Sequence, residues 1–161
     1  MNLFKKLFGS NNPSDDEGNN DNSNKPNPDI NSPLDEQFIY NFKRNGGKFL
    51  YCENLNEVKE QFENILEEND WFEVEALCYE SQLFFMLDEN KLTYGQNLNP
   101  KFLLSSCENL VAEEGSILFS SNQIKQKKPN DLPTNIVIIA KTSQIIEGKS
   151  DGLSAIRKKY Q

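Results

Sequence analysis

The chain has 161 residues, with 17 basic against 25 acidic side chains and a net charge of −8. This balance argues against a general nucleic-acid binder, whose affinity rests on Lys and Arg neutralising phosphates. The sequence contains no His, which removes Ser-His-Asp and Cys-His nucleophile arrangements and every His-containing zinc site.

Three zones follow one another. Residues 1–9, MNLFKKLFG, place Leu3, Phe4, Leu7 and Phe8 at helical spacing with Lys5 and Lys6 between them. This is a short basic amphipathic segment, too short for a signal peptide, and suited at most to weak contact with a membrane surface or a partner. In residues 10–33, 20 of the 24 side chains are Asn, Asp, Ser or Pro, and Ile30 is the one large apolar residue. Such a segment buries too little surface to offset chain entropy and is expected to be a disordered linker. Residues 34–161 are expected to form one folded α/β domain, long enough for a sizeable core.

Within that domain, Asp35–Asn45 reads as a helix that stops at Gly46-Gly47. Lys48–Cys52 (KFLYC) reads as a strand. Asn56–Asn69 is the clearest helix, with Val58, Phe62, Ile65 and Leu66 in one stripe, and Asn54 with Glu57 resembles a capping pair. Glu75–Tyr79 and Leu92–Tyr94 read as short strands around a helical turn at Ser81–Leu87. Asn109–Ala112 and Ser116–Ser120 suggest a hairpin about Glu113-Glu114-Gly115. Asn135–Lys141 (NIVIIAK) is a near-continuous apolar run, expected of a strand buried on both faces. Asp151–Tyr160 reads as a closing helix capped by Ser150 or Asp151. The alternation predicts a mainly parallel sheet flanked by helices, with ligands beyond the carboxyl ends of its strands.

Cys52, Cys78 and Cys107 are far apart and form no CxxC pair. A disulfide framework, a zinc site or a self-contained iron–sulfur centre is therefore not expected, and free thiols fit a reducing cytoplasm. Cys52 and Cys107 each precede a Glu, which makes a thiol a poorer nucleophile, so structural burial is the expected role. Trp71 and Phe72 are expected to be core or rim aromatics, and the Phe84-Phe85-Met86 cluster to pack. No stretch approaches the roughly 20 apolar residues of a membrane span. No Gly-rich dinucleotide turn is present, and neither flavin nor metal is expected as a cofactor.

The succession Ala112, Glu113, Glu114, Gly115, the β run Ile117–Phe119, Ser120-Ser121, Leu132-Pro133, Ile136–Ile139 and Ile145-Ile146 spans 37 residues, Leu110–Ile146. In this order it resembles the core of the lactate-utilisation (LUD) domain family, of the lactate utilisation protein C type, in a compact stand-alone form. The resemblance implies a fold like that of sugar-phosphate isomerases and CoA transferases. It also implies a place beside lactate-oxidising machinery whose other subunits carry iron–sulfur clusters. Longer members continue past the closing helix into a Gly-Pro-Ser, Thr-Ala-Asp-Ile-Glu type segment that helps form a ligand site. The sequence ends at Gln161 without it, which predicts a reduced site.

Glu113 and Glu114 are the candidate catalytic carboxylates. In CoA-transferase relatives of the fold, a Glu near a Gly turn acts as a covalent nucleophile, and repulsion within the pair should raise one pKa. The plain alternative is an acidic hairpin turn with Gly115 supplying a positive φ. Ser120, Ser121, Gln123 and Lys125, with Asn122, Lys127 and Lys128, form a polar loop that would hold an anion by charge-assisted bonds or else remain solvated surface. Two functional readings follow. One is an accessory or non-catalytic subunit linked to lactate utilisation, partnered with iron–sulfur-cluster subunits. The other is a small enzyme or binding protein for an anionic metabolite (a carboxylate, sugar phosphate or acyl-CoA) that uses Glu113 and the Lys125–Lys128 loop.

Overall fold

A computed structural model of the chain describes residues 31–95 and 99–160. The readings of residues 1–9, and of all but the last three residues of the linker, lie outside that range.

Helix α1 (Leu34–Arg44) carries Asp35 and Glu36 in its first turn and Lys43 and Arg44 in its last, which suits the helix dipole at both ends. The N–H groups of Gly46 and Gly47 return to the carbonyls of Lys43 and Phe42. Gly46 sits at φ +88°, so the Gly-Gly stop ends the helix as expected. Helix α2 (Leu55–Asn69) is held at its start by the expected pair. Asn54 Oδ1 accepts from Glu57 N at 3.0 Å, and the Glu57 carboxylate accepts from Glu53 N at 2.8 Å.

Four strands form a wholly parallel sheet: β1 (Glu75–Leu77), β2 (Thr93–Tyr94), β3 (Phe102–Ser105) and β6 (Asn135–Ile138), in the order β2-β1-β3-β6. A 3₁₀ turn (Ser81–Leu83) and helix α3 (Phe84–Glu89) carry the chain from β1 to β2. On one side of this sheet Phe62 and Leu66 of α2 and Met86 and Leu87 of α3 pack with Ala76, Phe102 and Leu104. Trp71 stacks on Phe102 with ring centroids 4.8 Å apart. Each of the buried Phe, Leu and Met side chains contributes roughly 1.5–3 kcal/mol by leaving water.

A second, three-stranded sheet lies beside it: β4 (Asn109–Val111), β5 (Ser116–Leu118) and β7 (Ile145–Ile146), in the order β5-β4-β7. β4 and β5 are the expected antiparallel hairpin, and β7 pairs parallel to β4. Phe38 of α1 packs there with Cys107, Leu110 and Ala112. Between the sheets run α4 (Ser121–Ile124) and 3₁₀ turns at Pro129–Asp131 and Thr142–Gln144, and α5 (Lys149–Lys159) closes the domain. The chain thus forms an α/β domain with a mainly parallel sheet flanked by helices. No helix among the described residues is long and apolar enough to cross a membrane.

Three expectations need correction, and one strand was not foreseen. Lys48–Cys52 is not a strand. Both ladder positions beside β1 are filled by β2 and β3. The segment is instead fastened by Phe49, which meets Phe38 edge to face at 6.4 Å, while Leu50 and Tyr51 are exposed. The NIVI strand is not buried on both faces: among the described residues β6 pairs with β3 alone, and Asn135 and Ile136 are exposed. Its apolar run serves an edge. The strand that is buried throughout is β3, FLLS, which the sequence reading did not identify because four residues beside Pro100 show no period. Finally, α5 is capped by Gly148, with neither Ser150 nor Asp151 bonding as a cap. Asp151 stands in the first turn, where its charge favours the helix dipole.

Candidate functional site

In an open parallel sheet, a crevice forms where successive connections leave in opposite directions. Here β1 connects to β2 on one flank, whereas β3, on the other flank of β1, leads outward to β6. The switch point lies between β1 and β3. Residues just past their carboxyl ends, Glu80 after β1 and Ser106, Cys107 and Glu108 after β3, line a cleft of about 320 Å3.

Glu80 fastens the two strand ends together. Its Oε1 accepts from Ser105 Oγ at 2.8 Å and from Ser106 N at 2.8 Å. Its Oε2 accepts from Ser106 Oγ at 2.6 Å and from Gln82 Nε2 at 3.0 Å. Those four donors match the roughly four acceptor positions of a carboxylate. Ser106 Oγ in turn accepts from Gln123 Nε2 at 3.0 Å, and Gln123 Oε1 accepts from Ser120 N at 2.9 Å. Gln123 is therefore fixed at both ends and links α4 to the strand ends. Ser120 is buried, and its Oγ completes no hydrogen bond of ordinary geometry.

Glu108 lies on the other wall. Lys159 Nζ is 3.0 Å from its Oε2, and Tyr160 Oη donates to Oε1 at 2.6 Å. Burial pushes the Glu108 carboxyl up, but bonds from Tyr160 and Lys159, a weak contact from Ser120 and the Lys159 charge together bring it below the usual carboxylate range. The bond to Glu108 raises Lys159 correspondingly. Gln144 Nε2 donates to the carbonyls of Cys107 at 2.6 Å and Glu108 at 3.2 Å, which closes the cleft floor. The Cys107 thiol is pushed up to about 12, first by burial and then by Glu108 and Glu80. It is a poor nucleophile. Cys78, also buried, is raised mainly by burial too.

The candidates from sequence are divided by this geometry. Ser120 and Gln123 line the cleft; Glu113, Glu114, Ser121 and Lys125 do not. α4 ends after one turn because Lys125 and Gln126 both take left-handed backbone, φ 50° and 59°. Lys125 and Lys128 are exposed. Glu113 and Glu114 are exposed on the hairpin turn, and that turn is clamped by α1. Asn41 Nδ2 donates to the carbonyls of Ala112 at 2.8 Å and Glu113 at 3.2 Å, and Asn45 Nδ2 to that of Glu114 at 2.8 Å. Gly115, buried at φ +61°, leaves room for the Asn41–Phe42 backbone, which a Cβ would overlap. Contrary to the expected repulsion, the Glu114 carboxyl is lowered, because Lys149 Nζ bonds it at 2.8 Å.

Glu80, Gln82, Ser106, Glu108, Gln144, Lys159 and Tyr160 were not singled out in the sequence. Position after β1 and β3 is the signal that finds Glu80, Gln82, Ser106 and Glu108, and β3 shows no period of its own; Gln144, Lys159 and Tyr160 reach the cleft only through the tertiary fold. Among the described residues, no three His, Cys, Asp or Glu side chains converge as a metal site requires.

No curated protein and no solved structure shows significant similarity to the chain. The model of the LUD domain family matches residues 36–161, from within the first turn of α1 through α5. The chain belongs to the LUD domain family.

Proposed function

We propose that the chain acts as an accessory, non-catalytic subunit linked to lactate utilisation, the process with which LUD-domain proteins are associated. One observation carries the non-catalytic part: the two carboxylates of the cleft are already engaged by the chain itself, Glu80 by four donors and Glu108 by Lys159 and Tyr160. A general base or a carboxylate nucleophile needs a free lone pair aimed at substrate, and the neighbouring thiol is held protonated. The pathway part rests on family membership, and the proposed partners are iron–sulfur-cluster subunits of a lactate-oxidising complex in the cytoplasm.

The test is affinity purification of the tagged full-length chain from its native cell. The reading expects co-purifying subunits with a visible iron–sulfur absorption band. A preparation free of such subunits that turned over a small carboxylate, sugar phosphate or acyl-CoA by itself would overturn it.

A further inference from the structure

We propose that the cleft between the ends of β1 and β3 is a binding site for a neutral, multiply hydroxylated small molecule. This goes beyond the accessory reading and does not depend on it.

The volume of about 320 Å3 falls at the lower end of the ~300–1,000 Å3 of small-molecule sites. Charge selects the class of occupant. The lining holds two carboxylates, Glu80 and Glu108, against one cation, Lys159, and that cation is bound to Glu108 at 3.0 Å. A phosphate or carboxylate entering here meets a net negative wall. Lys125 and its neighbours, which would reverse that sign, lie outside the cleft. A cationic ligand is disfavoured for a different reason. It would have to take Glu80 from the four donors that hold the strand ends together, or take Glu108 from Lys159 and Tyr160.

What remains unspent is neutral. Gln123 Nε2 uses one hydrogen on Ser106 Oγ and keeps a second. Gln82 commits its amide nitrogen to Glu80, which leaves its carbonyl oxygen. Asn122, exposed at the rim, makes no side-chain hydrogen bond among the described residues. Donors and acceptors thus stand side by side, two of the amides with their orientation fixed by partners. Hydroxyl groups, each a donor and an acceptor, complement such a lining better than any ion does. Tyr160, half-exposed and held by its bond to Glu108, adds apolar surface at the rim.

The test titrates the full-length protein, labelled with nitrogen-15, with myo-inositol and with glucose, and in parallel with their monophosphates and with lactate. The proposal expects at least one neutral probe to shift the backbone amides of Ser106, Ser120 and Gln123 saturably, and its phosphorylated form to bind at least about tenfold more weakly. Asn122→Ala should weaken the neutral probe about tenfold, the effect of one lost hydrogen bond, with an unchanged amide spectrum elsewhere. The proposal fails if neither neutral probe shifts those amides. It also fails if a phosphorylated probe or lactate binds there more tightly, or if the shifts fall on residues 125–128 instead.

Discussion

The Glu113–Glu114 turn and the cleft at the ends of β1 and β3 each contain two carboxylates, in opposite surroundings. At the turn the side chains are exposed, and the neighbouring helix holds the backbone through Asn41 and Asn45. In the cleft the carboxylates themselves do the holding: Glu80 joins two strand ends and Glu108 receives Lys159, the last residue of α5, and Tyr160. A conspicuous acidic pair beside a glycine is thus explained by turn geometry. The polar convergence comes from residues separated by 80 positions, Glu80 to Tyr160, which only sheet topology assembles.

The largest effect should come from the turn's backbone. In Gly115→Ala the new Cβ would overlap the Asn41 and Phe42 backbone at a residue already in the left-handed region. The cost should be about 3 kcal/mol or more, from strain plus displacement of α1. Urea unfolding monitored by circular dichroism measures it. A loss below about 1 kcal/mol would show that the hairpin does not depend on close seating against α1.

Next comes the cleft. Glu80→Ala strands Ser106 N, Ser106 Oγ and Gln82 Nε2 without their acceptor, while Ser105 Oγ keeps the Ser106 carbonyl at 2.9 Å. Because Glu80 and Ser106 are only half-buried and water re-enters, the expected loss is about 1.5–3 kcal/mol rather than the full desolvation penalty. The unfolding midpoint should drop without a change in slope. An unchanged midpoint would sever the link drawn between the cleft and the integrity of the parallel sheet.

Much of the fold was legible because it rests on local chemistry. The Asn54–Glu57 cap, the Gly46-Gly47 stop and the Glu-Glu-Gly hairpin are set by a few adjacent side chains, and each appears where the spacing places it. What depends on neighbours was not legible. FLLS and NIVI are both short apolar runs; one is the buried centre of the sheet and the other its edge, and nothing in either run says which. KFLYC is a short apolar and aromatic run like a strand but finds no partner in the ladder. The cleft inherits these gaps: Ser106 and Glu108 acquire meaning only once β3 is known to lie beside β1. Ser120 and Gln123 were picked out as part of a polar loop and do line the cleft, although beside carboxylates and not beside the lysines.

Acid should expose a further contrast through Glu108. The folded state holds this carboxyl below its ordinary range, so the folded protein takes up that proton less readily than the unfolded chain does. The stabilisation is complete above the unfolded value of about 4.3 and is lost as the pH falls through the lower folded value. Glu108→Gln, which cannot titrate, should be less stable than the parent at neutral pH, and the gap should narrow as pH falls below about 4. Urea midpoints across that range give the comparison. Parallel profiles for the two proteins would mean that Lys159 and Tyr160 do not hold the carboxylate in solution.

The smallest effect is expected at Glu113, the residue that first draws the eye. Its backbone is engaged, since the carbonyl accepts from Asn41 and the N–H donates to Glu147 O at 3.0 Å, but its side chain is exposed and no hydrogen bond to it is recorded among the described residues. Glu113→Gln keeps the shape and every backbone bond and removes only a surface charge. Stability should therefore change by no more than about 0.5 kcal/mol. The same substitution also separates the two regions functionally. If the turn were a ligand site for a carboxylate, an acyl-CoA or a sugar phosphate, one of these would raise the thermal midpoint of the parent protein and fail to raise that of the variant. If the turn is what its clamping by Asn41 and Asn45 indicates, both proteins should respond identically to every such compound. A response confined to the parent would move the functional centre back to the hairpin, in spite of the cleft.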